Sequence, residues 1–247
     1  MPLDNPSMNL YSYHTNPKEL YGYDMRLKMP GFATSEFRTK WLELTRDSYR
    51  KSDEEDLIDK YLPLIATSPA NAYFATDLMS GPYTYKEWAF KIEPYIIKDP
   101  KWATFYAMNI KKDRWLEAEP YIAKNPRAAF TYAKHVIHGR WPEGESAIMQ
   151  DTQWATDYAD QILEKRWVEA EEMMIKHSTG NHQELLNYAK KWIKGEWPEG
   201  EKAFIQNPRA IVWYARDILK HRWKKAEPIL EMKDPYWWKH YKEVFKL

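Results

Sequence analysis

The chain has 247 residues with 37 basic and 36 acidic side chains and no cysteine. A net charge this close to zero removes the electrostatic drive of a dedicated duplex-DNA or anionic-membrane binder. The lack of cysteine excludes disulfides, thiol catalysis and Cys-based zinc sites. No run reaches the roughly 18 apolar residues that a spanning helix needs, and 13 Trp, 18 Tyr and 8 Phe are more aromatics than a disordered chain carries.

In chain order, Met1-Pro2-Leu3-Asp4-Asn5-Pro6 has no basic stretch and no apolar run. No secretory signal is expected, and the default location is cytoplasmic. Residues 1–34 hold Tyr11, Tyr13, Tyr21 and Tyr23 among Pro, Asn and Gly and read as an extended N-terminal arm. Residues 35–66 read as N-terminal capping helices, the first near Ser35–Ser48. A helical-repeat array is expected over 67–233 and a C-terminal cap over 234–247, where Trp237, Trp238 and Tyr241 cluster.

The array declares itself by its spacing. Tyr106, Tyr132, Tyr158, Tyr188, Tyr214 and Tyr241 step by 26, 26, 30, 26 and 27 residues. Trp88, Trp115, Trp141, Trp167, Trp197 and Trp223 step by 27, 26, 26, 30 and 26. Two markers share one period and one four-residue insertion, within the Lys176–Gly180 segment. That predicts an all-α fold, an α-solenoid of short, about 26-residue, two-helix repeats.

Each unit opens on Asp or Asn, usually followed by Pro, as at Asp99-Pro100, Asn125-Pro126, Asn207-Pro208 and Asp234-Pro235; Asp151 and Asn181 open the others. This is an N-cap with proline at the first helical position. Apolar residues at Trp102, Ala103, Tyr106, Ala107 and Ile110 then mark one face of a helix of about 13 residues. Gly139 and Gly195 stand where a left-handed C-cap is expected. A second helix of about nine residues follows each Trp. Pro94, Pro120 and Pro228 fall inside that segment, so it is either kinked or begins late. One position accepts only small residues, Ala118, Gly144, Ala170, Gly200 and Ala226, and reads as the seam between units.

The string Tyr-Ala-x-x-Ile-x-x-Arg-Trp-Pro-Glu-Ala/Gly-Glu-Pro-x-Ile-x-x-Asp-Pro resembles tandem repeats in uncharacterised proteins of tailed bacteriophages and some large viruses. The resemblance covers about 67–247 and implies a viral origin and a helical repeat, with no settled biochemical activity. Glu196 in place of the Arg before Trp197, and His182-Gln183 in place of the usual Pro start, depart from the pattern.

Candidate chemistry is sparse. The pairs Glu117/Glu119, Glu143/Glu145, Glu169/Glu171 and Glu199/Glu201 recur in four successive units, whereas a glycosidase-like pair would occur once. They read as residues at helix N-termini, one of each meeting an Arg. Arg114, Arg140, Arg166 and Arg222 read either as an Arg–Glu ladder between units, with Arg stacked on Trp, or as a stripe for phosphates or an acidic partner. His135 and His138 lie three apart without a third ligand, so no metal is expected. The residue before each repeated Tyr varies: Phe105, Thr131, Asp157, Asn187, Trp213 and His240. Variable residues on a constant frame are where a repeat protein carries specificity. Phe105, Asp157, Asn187 and Trp213 are accordingly candidate binding residues beside the four arginines.

No catalytic residue, cofactor or metal is assigned, as there is no phosphate-binding glycine loop, nucleophile elbow or kinase signature. The expected function is non-enzymatic binding of a protein partner. If phage-encoded, the chain would act in the host cytoplasm as an inhibitor of a host defence factor, with a host protein as partner. The alternatives are a nucleotide or small-ligand binder using Arg and Trp pockets between repeats, and a single-stranded nucleic-acid-binding repeat. Oligomeric state is left open.

Overall fold

The computed structural model describes Asp59, Leu62, Pro63, Ala66, residues 68–70, Ala72, Tyr73, 89–180 and 182–247. The arm over 1–34, the capping helix near Ser35–Ser48, Trp88 and Asn181 lie outside these residues. The described residues are helical, with no β-strand among them. None of their helices is long and apolar enough to cross a membrane. They fall into two compact units, Met1–Ala118 and Glu119–Leu247.

In the first unit a 3₁₀ turn, Ala89–Ile92, runs into α1 (Glu93–Ile96), and α2 (Pro100–Tyr106) follows. In the second unit the α-helices are α3 (Glu119–Ile122), α4 (Pro126–Tyr132), α5 (Pro142–Ile148), α6 (Thr152–Tyr158), α7 (Val168–His177), α8 (Gln183–Tyr188), α9 (Pro198–Phe204), α10 (Pro208–Trp213), α11 (Glu227–Lys233) and α12 (Pro235–Phe245). The even-numbered helices open each repeat. Asp99, Asn125, Asp151, Asn207 and Asp234 cap them, each side chain accepting a backbone N–H from the first turn. At α8 the cap position is His182, in the left-handed region at φ 56°.

The opening helix is not one α-helix of about 13 residues. At the Tyr-Ala step it widens into a π-helical turn: Ala107–Lys111, Ala133–Ile137, Ala159–Leu163, Ala189–Ile193 and Tyr214–Leu219. The carbonyl of Ala107, Ala133, Ala159 or Ala189 accepts the N–H of the residue five further on. A π turn of this kind occurs as a single turn inserted in an α-helix. In α12 the step is Tyr241-Lys242, and the helix stays α to Phe245.

Each π turn ends on a left-handed residue, and none of these is glycine: Lys112, His138, Glu164, Lys194 and Lys220. The expectation for Gly139 and Gly195 is thereby corrected. The extra residue of the π turn brings the left-handed position one place earlier, and both glycines follow it without positive φ.

The second helix takes two forms. After Trp141, Trp167 and Trp197 it begins at once. After Trp115 and Trp223 a turn intervenes and the helix starts four residues later, at Glu119 or Glu227, with Pro120 or Pro228 in its first turn. Those prolines therefore mark a late start rather than a kink, because the first turn is where a missing N–H costs nothing.

Within the second unit, α4 packs on α6, α6 on α8, α8 on α10 and α10 on α12, while α7 packs on α9. The core is a repeated set of fully buried side chains. Tyr132, Tyr158 and Tyr214 meet Trp141, Trp167 and Trp223 at ring-centroid distances of 4.9–5.0 Å, and Ile122, Ile148, Met174, Phe204 and Leu230 are buried as well. In the first unit Tyr106 meets Trp115 at 4.9 Å, and Ile96 is buried.

Candidate functional site

The conspicuous residues are consumed by the frame. Tyr158 Oη accepts the Trp141 backbone N–H at 2.7 Å and donates to Glu145 Oε1 at 3.1 Å. Tyr188 does the same between Trp167 N–H and Glu171, at 2.9 and 2.9 Å, and Tyr241 between Trp223 N–H and Glu227, at 2.7 and 3.1 Å. Each phenol thus ties its own repeat to the Trp and Glu of the preceding one. Burial drives the Tyr158, Tyr188 and Tyr214 phenols well above their ordinary range and pushes Tyr241 up to about 12.

The arginines complete the same knot. Arg140 grips Glu145 at 2.7 and 3.0 Å, Arg166 grips Glu171 at 2.6 and 2.8 Å, and Arg222 grips Glu227 at 2.8 and 2.7 Å. The pairs are bidentate and lie within one repeat, five residues apart. A ladder between units is therefore corrected: the bond between repeats is the Tyr hydroxyl. Of each glutamate pair, the second member is the buried one at Glu119, Glu145 and Glu171. Arginine over an aromatic ring occurs elsewhere, with Arg127 over Trp154 at 5.5 Å and Arg209 over Trp213 at 4.0 Å. Arg114 is exposed.

Glu196 is the exception that measures the arginine. Glu201 there faces Lys225 Nζ at 3.6 Å, and the Tyr214–Glu201 distance stretches to 3.5 Å. Replacing Glu196→Arg is expected to supply the missing bidentate partner and raise stability by about 0.5–1 kcal/mol, the scale of a half-exposed pair. Urea denaturation checks this; an unchanged midpoint would mean that Glu201 is already fully held by Lys225.

The small-residue position serves the indoles, and at Gly144 also a close helix approach, since a Cβ there would meet Ala129 Cβ of α4 at 3.1 Å, a contact within one repeat rather than a seam between repeats. A Cβ on Gly144 would lie 2.5 Å from the Trp141 ring, and one on Gly200 2.3 Å from the Trp197 ring. The indole N–H groups of Trp141, Trp167 and Trp197 are buried without an acceptor among the described residues. These rings are held by shape, not by hydrogen bonding.

The residues before each Tyr divide. Phe105 and Thr131 are buried, Phe105 between the rings of Tyr73 and Trp102. Asp157, Asn187 and Trp213 instead come together on the face of α6, α8 and α10. Asp157 and Asn187 line a cleft of about 260 Å³ between α6 and α8, with Gln153, Asp160, Glu184, Lys191 and Trp192. Asn187 and Trp213 line a second cleft of about 160 Å³ between α8 and α10, with Gln183, Lys190, Arg216 and Asp217. Asn187 belongs to both.

The two clefts carry opposite charge. In the first, Lys191 pairs with Asp160, leaving the carboxylates of Asp157 and Glu184. Burial lifts the Asp157 carboxyl above its ordinary range, the hydrogen bond from Gln161 opposes this, and Asp160 and Glu184 add to the lift. In the second, Arg216 and Asp217 form a bidentate pair at 2.7 and 2.8 Å, leaving Lys190. Sequence reasoning singled out Asp157, Asn187 and Trp213 but missed Glu184, Lys190 and Trp192. For Glu184 and Lys190 the signal was present, three before and three after Asn187 on one helical stripe; Trp192, five after, lies in the π turn, where an α-helical period does not place it.

His135 lies in the π turn after α4, its pKa lowered by burial, then by Lys134 and His138. His138 is the left-handed cap of that turn. Among the described residues no three His, Asp or Glu side chains are placed to hold a metal ion.

No protein-family model matches the chain, and no curated protein or solved structure matches it either. The resemblance to phage and viral repeats therefore rests on the repeat motif alone.

Proposed function

We propose that this chain is a non-enzymatic binding protein, an α-solenoid of about 26-residue units whose opening helices form a row that takes up a segment of a protein partner. The successive packing of α4, α6, α8, α10 and α12 supports the solenoid reading. The observation that carries the function is the placement of Asp157, Asn187 and Trp213. They occupy one variable position in three successive repeats and line two adjoining clefts, while the constant Trp, Tyr, Glu and Arg residues are spent on one another. The arginines weigh against phosphate or nucleotide pockets, because Arg140, Arg166 and Arg222 already give two N–H groups to glutamate. The motif resemblance suggests a host protein as partner and inhibition of a host factor as the outcome.

The test is affinity capture with the intact chain and two variants of unchanged circular dichroism. The triple substitution Asp157→Ala, Asn187→Ala and Trp213→Ala is expected to lose the captured protein. Val168→Ala with Glu199→Ala, two exposed positions after the repeat tryptophans, is expected to keep it. Capture that survives the triple substitution sinks the reading. So would a large, salt-sensitive thermal stabilisation by a single-stranded oligonucleotide.

A further inference from the structure

We infer that the two clefts on α6, α8 and α10 together receive an extended, polyproline-like stretch of the protein partner, which carries a basic side chain and, three residues away, an acidic one. This rests on the proposed function and names the chemistry of its partner. The first cleft holds two carboxylates, Asp157 and Glu184, outside the Lys191–Asp160 pair, with Lys134 acting on Asp157 across the bridging Gln161 amide. It also offers the Gln153 amide oxygen as an acceptor, beside an Asn187 Oδ1 that accepts from Gln183 at 3.0 Å, and Trp192 as a wall, with Lys191 Nζ over its ring at 5.0 Å. A guanidinium uses all three at once: its planar fork matches carboxylate, its remaining N–H groups reach amide oxygens, and its face stacks on an indole. The second cleft offers Lys190 and the Asn187 amide N–H groups, which suit a carboxylate on the partner, beside the Trp213 ring, over which Arg209 lies at 4.0 Å.

The spacing fixes the backbone form of the occupant. Adjacent packed helices lie about 8–10 Å apart, so two clefts in successive interhelix grooves recur at about that distance. A polyproline II chain has three residues per turn and a rise of about 3.1 Å, which returns side chains three apart to one side after about 9 Å. A β-strand returns them after about 7 or 13 Å, and neither fits. Opposite charge in the two clefts also selects against other occupants. A single-stranded nucleic acid would bring phosphate to Asp157 and Glu184, and a polyamine would leave Lys190 unpaired.

The experiment titrates the isotopically labelled full chain with capped proline-rich peptides and follows the indole N–H signals of Trp192 and Trp213. A peptide with Arg and Glu three apart is expected to shift both signals saturably. Asp157→Asn and Lys190→Gln, both outside the buried frame, are each expected to weaken it at least about tenfold, the scale of one lost charge-assisted contact. Peptides with the charges two or four apart, or with two like charges, are expected to bind more weakly. Equal binding in every register, binding indifferent to either substitution, or larger shifts with spermidine or oligothymidylate overturns the inference. If no peptide binds while the triple substitution still loses its captured protein, the inference falls and the proposed function stands.

Discussion

Raising the pH from 10 to 12 is expected to unfold the Glu119–Leu247 unit steeply. Tyr241 is pushed from 10.0 up to about 12, by burial first, with Glu227 adding and the Trp223 N–H opposing. Tyr158, Tyr188 and Tyr214 are pushed up further. In the unfolded chain these phenols release their protons near pH 10, while in the folded chain they keep them. Above pH 10 the unfolded state therefore binds fewer protons, and stability falls as pH rises. The contribution is fully present below pH 10 and is lost as pH climbs through the folded values. At up to about 1.4 kcal/mol per pH unit, Tyr241 alone gives up about 2 kcal/mol by pH 12. Four such groups reach the scale of a whole domain's stability, about 5–15 kcal/mol. The carboxylates are ionised throughout this window in both states and add no slope. Phenolate absorbance and helical dichroism should change together, in one cooperative step. Tyrosines that titrate smoothly near pH 10 while the helices persist would sink the idea. Tyr158→Phe should lower stability at neutral pH by about 1–3 kcal/mol, because the Trp141 N–H loses its acceptor, yet raise the alkaline midpoint relative to that lower baseline.

The repeat period was legible because it is written in large buried side chains. Tyr, Trp and the second-helix apolar residue each occur once per unit, and stacking leaves them no other place to go. The N-caps were legible for a local reason: Asp or Asn before Pro can satisfy the first turn almost alone. The π turn was not legible. Its signal is the Ala after each Tyr, and an alanine there is equally good in an ordinary α-helix. The glycines misled for the same reason, since the extra residue moves the left-handed position from Gly139 back to His138. The late start after Trp115 and Trp223 was written as a proline five residues after the tryptophan, and only geometry decides between a kink and a delayed first turn.

The site was half legible. Variation before each Tyr pointed to Asp157, Asn187 and Trp213, but the same rule named Phe105, which is 4 % exposed. Position in a repeat gives the helical face, not the depth of burial, and Phe105 is drawn in by Tyr73 and Trp102. The arginine series had two readings that sequence could not separate, because a glutamate five residues on is neither an i+3 nor an i+4 partner on a continuous helix. The break in the chain at each Trp turns that spacing into a bidentate pair.

Gly200→Ala is expected to cost about 1–3 kcal/mol, the usual range for overpacking a filled core, although alanine is the better helix former. The added Cβ would sit 2.3, 2.6 and 2.8 Å from three carbons of the Trp197 ring. Trp197→Ala is expected to cost about 3–5 kcal/mol as a large-to-small core change. The informative result is the combination. With the ring gone, Gly200→Ala should cost nothing or stabilise by about 0.5–1 kcal/mol, the intrinsic helix preference of alanine over glycine. A double-mutant cycle by urea denaturation should therefore show a coupling of more than about 1 kcal/mol between these two positions. Simple additivity would mean that the ring swings away and that glycine is not needed. Trp141, Trp197 and Trp167 precede their helices at similar backbone angles, φ −128°, −135° and −113°; the first two are followed by proline and then glycine, the third by Val168 and then Ala170. Glycine two residues beyond the proline leaves the indoles of Trp141 and Trp197 room to lean over the helix start.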